Sequence, residues 1–318
     1  MTRLTLAGVP ALLNFEIEGD AGGEDSQVQS LSLYQEFGGL PSKEYYEEKP
    51  ILDLYQSVIQ SILIDIASHT KASSRSAKRG VVDDLEELID VEGWPWPWPG
   101  DDDKGGEKKK PGDGKAPAKN EPLKVRMETL AAKVVRFERD LMRAGADPEY
   151  LFNPHYAYNP YSTEKVEKSL PFISFPTYIS TFTTRTFPPS ITVTYPPYLK
   201  SLTQIIDSTP DYVLSGYFVA RLAMTYSTAL GPKVSVRQAT RRLEEALRGI
   251  KTGTEENRQD KCLSTVDGII GYIAGREYVR EAFSTEAKAD GEGIIKGVSL
   301  GLHFPSELTH GSDRTSVL

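Results

Sequence analysis

From Thr209 to Phe283 apolar residues recur at helical spacing almost without interruption, and only packed helices can bury so long a pattern. Thr209 fits an N-cap and Pro210 the first helical position, where a missing N–H leaves nothing unpaired. Tyr212, Val213, Tyr217, Ala220, Leu222, Ala223 and Met224 follow at helical intervals, and Gly231-Pro232 stops the helix. A second stripe of Val236, Ala239, Leu243, Ala246, Leu247 and Ile250 ends near Gly253. A third helix starts at about Arg258 and turns Cys262, Val266, Ile269, Ile270, Ile273 and Tyr278 inward. Three amphipathic helices with short connectors imply a helical core.

The rest of the chain extends that core. Ile51, Leu54, Tyr55, Val58, Ile59, Ile62, Leu63 and Ile66 form a wide apolar stripe on a helix opened by Pro50. Met127, Leu130, Ala131, Val134, Phe137 and Leu141 form the inner face of a helix from Leu123 to Ala144, with Gly145 placed to end it. Ser162 or Thr163 caps a short helix, and Pro197 starts another. Ile191, Val193 and Tyr195 alternate as a short strand. The first 39 residues read as a strand-like or irregular entry, and 171–187 as irregular chain lying on the helices. The fold class expected is mainly α: a multi-helix domain with one or two short strands and a disordered insertion. Ile59, Ile62, Phe137, Leu222 and Ile270 are expected in its core.

The insertion is legible from composition. Residues 71–80 are polar and basic, a short acidic helix follows, and Trp94-Pro95-Trp96-Pro97-Trp98-Pro99 leads into a lysine-, aspartate- and glycine-rich run to Pro122. Residues 100–122 have almost nothing apolar to bury, so the segment reads as disordered. Trp94, Trp96 and Trp98 either dock on a partner or pack on the host domain. The expected divisions are 1–70 and 123–297 for the helical domain, 71–122 for the insertion and 298–318 for a separate tail. A net charge of −8 disfavours nucleic acid as a partner. No run of about 18 apolar residues occurs, so no membrane span is expected. The acidic turn soon after the N-terminus does not fit a signal peptide.

Several segments carry a family resemblance. They are Lys261–Phe283 with the following Glu286–Ile295, Tyr158-Asn159-Pro160, Tyr195–Leu199, Gly39–Tyr46, and the helix containing Ala131–Leu141. In order and spacing they resemble the large N-terminal helical domain of the neprilysin and endothelin-converting-enzyme family of zinc metallopeptidases. Apart from the insertion, the resemblance covers most of the chain. It implies a helical domain that caps a catalytic domain, a peptide substrate, zinc as cofactor, and an extracellular or membrane-anchored setting. It also implies a cysteine partner for Cys262, the only cysteine; read by itself, Cys262 is a small buried residue on a helix face.

The tail carries the one trace of chemistry. The family uses His-Glu-x-x-His on a helix, where two histidines four apart share a metal and the glutamate activates its water. Here Ser306-Glu307-Leu308-Thr309-His310-Gly311-Ser312-Asp313 agrees with the family's His-Glu-Leu-Thr-His-Gly-Phe-Asp at six of eight positions. By resemblance Glu307 is the general base, His310 a zinc ligand and Asp313 a carboxylate that orients the ligands from outside. Ser306, however, stands where the first ligand belongs, and a hydroxyl is a poor zinc ligand beside imidazole. His303 lies two turns away, about 10 Å along a helix, with Pro305 between. The downstream glutamate ligand, the Asn-Ala substrate clamp and the oxyanion-stabilising histidine and arginine of the family have no counterparts. The tail is therefore expected to bind zinc weakly or not at all. His69, at a helix C-terminus, reads as a surface residue, and His155, among aromatics and prolines, has no ligand at metal spacing. Asp83-Asp84 and Glu86-Glu87 read as a solvated helix face, and no phosphate loop or Ser/His/Asp set is visible.

Overall fold

The computed structural model describes residues 4–5, 7–20, 29–73, 121–182 and 189–302, with backbone alone for 70–73 and 299–302. It divides into two compact units, Met1–Thr252 and Gly253–Leu318. The short acidic helix expected before Trp94, the Trp-Pro segment and nearly all of the insertion read as disordered lie outside the described residues. So does the tail from His303.

In the first unit a small mixed sheet lies beside a bundle of helices. Its strands are β1 (Leu13–Gly19), β2 (Gln29–Gln35), β3 (Pro160–Ser162) and β4 (Ser190–Val193), in the order β1-β2-β4-β3. β1 and β2 pair antiparallel from Leu13↔Gln35 to Gly19↔Gln29. β4 runs parallel to β2, with Leu33 opposite Val193, and antiparallel to β3. The sequence foresaw a strand through Ile191, Val193 and Tyr195; it ends at Val193, and Tyr195 instead precedes the helix that begins at Pro196. The first 39 residues read only as a strand-like or irregular entry, although β1 alternates apolar Leu13, Phe15 and Ile17 with polar neighbours; the pairing of β1 with β2 was not foreseen.

The helices of six residues or more in this unit are α1 (Lys49–Ser73), α2 (Leu123–Ala144), α3 (Thr163–Ser169), α4 (Phe175–Ser180), α5 (Pro196–Ser208), α6 (Asp211–Tyr226) and α7 (Ser235–Arg248). α1 and α2 are the centre. Tyr55, Val58, Ile59, Ile62 and Leu63 of α1 and Met127, Leu130, Ala131 and Val134 of α2 are completely enclosed. Each such aliphatic side chain contributes about 1.5–3 kcal/mol relative to exposure. Residues 49–69 are long and apolar enough to cross a membrane by composition, but their apolar stripe forms part of this core. α6 approaches α2 closely at Gly216, where an added Cβ would lie 3.1 Å from the Leu130 side chain. Ser162 caps α3, accepting from the Lys165 N–H.

Some expectations are corrected. Residues 171–187 contain α4, because Pro176 falls in its first turn, where proline is tolerated, and Phe175 and Tyr178 are buried. Thr209 does not cap α6; its hydroxyl donates to the Ile205 carbonyl at 2.6 Å, closing α5. α7 ends earlier than Gly253, at Gly249, whose φ of 64° gives the left-handed turn that glycine adopts without strain. Leu222 is only half-buried, because α6 turns Tyr217 and Arg221 inward instead.

The second unit holds α8 (Arg258–Ala282) and α9 (Thr285–Leu302). Asn257 caps α8, its side-chain oxygen accepting from the N–H of Gln259 at 3.0 Å and of Asp260 at 3.4 Å. The inward stripe expected on α8 is exposed: Val266, Ile269, Ile270, Ile273 and Tyr278 all face solvent, as does Cys262. Ile270 is 43% accessible. Periodicity identifies a face suited to cover; it does not say which residues cover it.

The two kinds of position should separate cleanly under mutation. Ile62→Ala is expected to cost about 2–5 kcal/mol in urea denaturation. Ile270→Ala is expected to cost under about 0.5 kcal/mol. Equal losses at both positions would contradict this division of the chain.

Candidate functional site

Where β2 ends against α1, α2 and α6, three charged side chains are shut away from water. Glu138 of α2 is fully buried, and Glu36 and Arg221 nearly so. Arg221 comes from the turn of α6 after Tyr217, and Glu138 from the apolar face of α2 between Val134 and Leu141. The Arg221 guanidinium donates through Nη2 to Glu36 Oε1 at 2.7 Å and sits 3.6 Å from Glu138 Oε1 through Nη1. Nε and Nη2 also reach the Pro10 carbonyl at 3.4 and 3.3 Å.

The remaining partners are tyrosines and backbone. Tyr55 donates to Glu138 Oε2 at 2.7 Å, and the Gly39 N–H donates to Glu138 Oε1 at 2.6 Å. The Tyr46 hydroxyl accepts from the N–H of Gly39 and Leu40 at 3.0 and 3.1 Å. Tyr217 donates to the Ala11 carbonyl, and Tyr198 to that of Leu12 at 2.9 Å. Burial pushes the Tyr55 and Tyr217 phenols well up, so both stay protonated. Burial likewise raises both carboxyls against the pull of Arg221, that of Glu36 to about 7.

This cluster is built to join chain segments. Its acids are held by a guanidinium and hydroxyls, and no nucleophile paired with a base is among them. The described residues contain no group of three or more His, Cys, Asp and Glu placed to hold a metal ion. Ser306, Glu307, His310 and Asp313 lie outside them, as do His303 and Trp94, Trp96 and Trp98. His69 is exposed near the end of α1, with Nδ1 2.8 Å from the Asp65 carbonyl. His155 is exposed on the one-turn helix Pro154–Ala157. A cavity of about 520 Å³ opens near the end of α2, lined by Asp147, Glu149, Tyr150, Asn153, Tyr156 and Tyr195 among others. Its aromatic faces are largely spent on one another. Tyr150 stacks on Tyr156 and meets the Tyr195 ring edge-on, while Asp147 is paired with Lys43 at 2.9 Å.

The model of peptidase family M13, for its N-terminal part, matches residues 1–301. The chain belongs to this family. It is 27% identical over 182 residues to an endothelin-converting enzyme homolog of Locusta migratoria, covering 54% of this chain and 24% of that protein. Against neprilysin-3 of Drosophila melanogaster it is 27% identical over 172 residues, 51% of this chain and 21% of the other. The fold matches the Mycobacterium tuberculosis zinc metalloprotease Zmp1 in its inhibitor complex with a TM-score of 0.63 at 16% identity, over 93% of this chain and 36% of that one. It matches PepO of Lactobacillus rhamnosis with a TM-score of 0.61 at 16% identity, over 93% and 38% of the two chains. The chain thus spans less than a quarter of the curated relatives and somewhat over a third of these solved chains.

Sequence reading missed Glu36, Glu138 and Arg221. A signal existed for two of them. Glu138 follows Val134 by four and precedes Leu141 by three, and Arg221 follows Tyr217 by four, so each charge falls on an apolar stripe. Glu36 had no such signal, since it lies just past the end of a strand. Replacing Arg221 with Met leaves both acids without their counter-charge and is expected to cost about 3–5 kcal/mol in chemical denaturation. A loss below about 1 kcal/mol would show that the cluster contributes little to holding the fold.

Proposed function

We propose that this chain is the capping, helical part of a neprilysin-like zinc metalloendopeptidase and does not itself hydrolyse peptides. The observation that carries the reading is the uncovered apolar surface of α8 and α9. Leu263, Ile269, Tyr272 and Ile273 of α8 and Ile294 and Ile295 of α9 are each at least 67% accessible. Soluble proteins that work alone seldom leave so many large apolar side chains in water. The family match, together with the fraction of its relatives that this chain spans, fits a helical part whose α8–α9 surface is covered by a catalytic part. In such an assembly the helical part encloses a chamber, which restricts substrates to peptides small enough to enter.

Zinc is the family's cofactor, and the donor set of the tail does not fit a catalytic zinc site. Such a site takes three protein ligands and leaves one position open. The motif offers one imidazole, His310, and a hydroxyl, Ser306, at the place of the second. Glu307, the acid that would activate the bound water, would then have no metal-bound water beside it. The purified chain is expected to contain no stoichiometric zinc by atomic absorption and to leave a quenched fluorescent peptide uncut, with or without chelator. Ser306→His is expected to raise zinc affinity without creating turnover. Stoichiometric zinc with chelator-sensitive hydrolysis by the unaltered chain would overturn the proposal.

A further inference from the structure

Gly38 and Gly39 follow Glu36 and Phe37 just past β2. In the structure these two glycines lie directly on the buried charges. Gly38 has a φ of 74°, and an added Cβ there would lie 2.3 Å from the Tyr46 hydroxyl. A Cβ on Gly39 would lie 2.1 Å from the Tyr55 hydroxyl and 3.1 Å from Arg221 Nη1. The backbone therefore rests on the cluster with no side chain between. The neighbouring Phe37 is 49% accessible, so the same short segment has the buried charges on one side and water on the other.

Charge counting sets the chemistry. Two carboxylates meet one guanidinium, so the site carries a net negative charge when both acids are ionised. The titratable groups facing it are Tyr46, Tyr55 of α1, Glu138 of α2, Tyr198 of α5, and Tyr217 and Arg221 of α6. The phenols stay neutral, and the backbone N–H groups of Phe37 and Gly38 turn toward Glu36. A buried site of this kind relieves its excess charge by retaining a proton, and two coupled acids titrate as a pair.

We propose that Glu36 and Glu138 share one proton across Arg221, making a pH-responsive clamp. The clamp holds the 37–40 segment against α1, α2 and α6 at mildly acidic pH and loosens it above neutrality. The direction follows from where the proton binds more tightly. Both acids have folded values above the ordinary 4.5, Glu36 at about 7. The folded state therefore gains as pH falls from about 7 toward 4.5 and loses as pH rises through about 7. On release of the proton, the cheapest relief is for Glu36 to swing out toward water, since it is carried on the segment that already reaches the surface.

Three readouts test the clamp. In urea denaturation of the full chain, the folding constant is expected to fall by up to about tenfold per pH unit as pH rises from about 5 to 7, and to level off above about pH 8. Glu36→Gln is expected to remove that slope. An infrared band of a protonated carboxyl is expected at about pH 6 and should bleach above about pH 8. A spin label at Phe37→Cys in a Cys262→Ser background should gain motion over the same range. An equal slope in the wild type and Glu36→Gln overturns the proposal. So does a spectrum without the carboxyl band at about pH 6, or a label whose motion is independent of pH. Should Glu36→Gln not fold, the infrared and spin-label measurements decide the matter on chains that keep Glu36.

Discussion

An arginine removed from water costs several kcal/mol unless carboxylates meet it. Arg221 is met by two, and the segments that supply its partners are far apart in sequence. Pro10 comes from the N-terminal stretch, Glu36 from the end of β2, and Glu138 from the middle of α2. Tyr55 then ties α1 to Glu138, and Tyr217 and Tyr198 hold the carbonyls of Ala11 and Leu12. Apolar burial makes α1 and α2 pack; this network determines how the N-terminal stretch, the sheet and α6 are joined to them. The two contributions differ in kind. Burial is non-directional and tolerates modest repacking. The network demands particular atoms at hydrogen-bond distance, and it penalises any rearrangement that strands one charge.

The helical core was legible because its helices meet strong spacing rules. The stripes of α1 and α2 were read residue by residue, and Gly145 was placed correctly just past the end of α2. The sheet was harder. β3 spans three residues and β4 four, and β4 reaches β2 through contacts about 160 positions away in sequence, as between Leu33 and Val193, with β3 added on its other edge. The stripe on α8 was real, but the face it marks is solvent-exposed, because spacing is blind to the identity of the covering surface. Arg221 and Glu138 show the opposite failure. Their positions on apolar stripes marked them as inward-facing, and the sequence reading did not single them out.

The candidate chemistry and the buried polar cluster fall in different parts of the chain. The tail motif, with Glu307 and His310, is legible only through its resemblance to the family's zinc helix and lies outside the described residues. The Glu36–Arg221–Glu138 cluster has no such motif and is visible only once the helices are packed. Among the described residues, no metal-binding group helps this helical part to keep its shape. Buried charge pairs and tyrosine hydroxyls can do so, because they fix geometry as well as contribute stability.

The unit up to Thr252 buries its apolar core, whereas α8 and α9 expose theirs. Amide hydrogen exchange of the intact chain, resolved by peptide, tests this most directly. Protection should be strongest in α1 around Tyr55–Leu63 and in α2 around Leu130–Leu141, where exchange requires global opening. Amides of Cys262–Ile273 and of α9 should exchange faster by orders of magnitude, since helices without a packed face open locally. Protection of α8 equal to that of α1 would contradict the account, because it would mean that the apolar face is already buried within this chain.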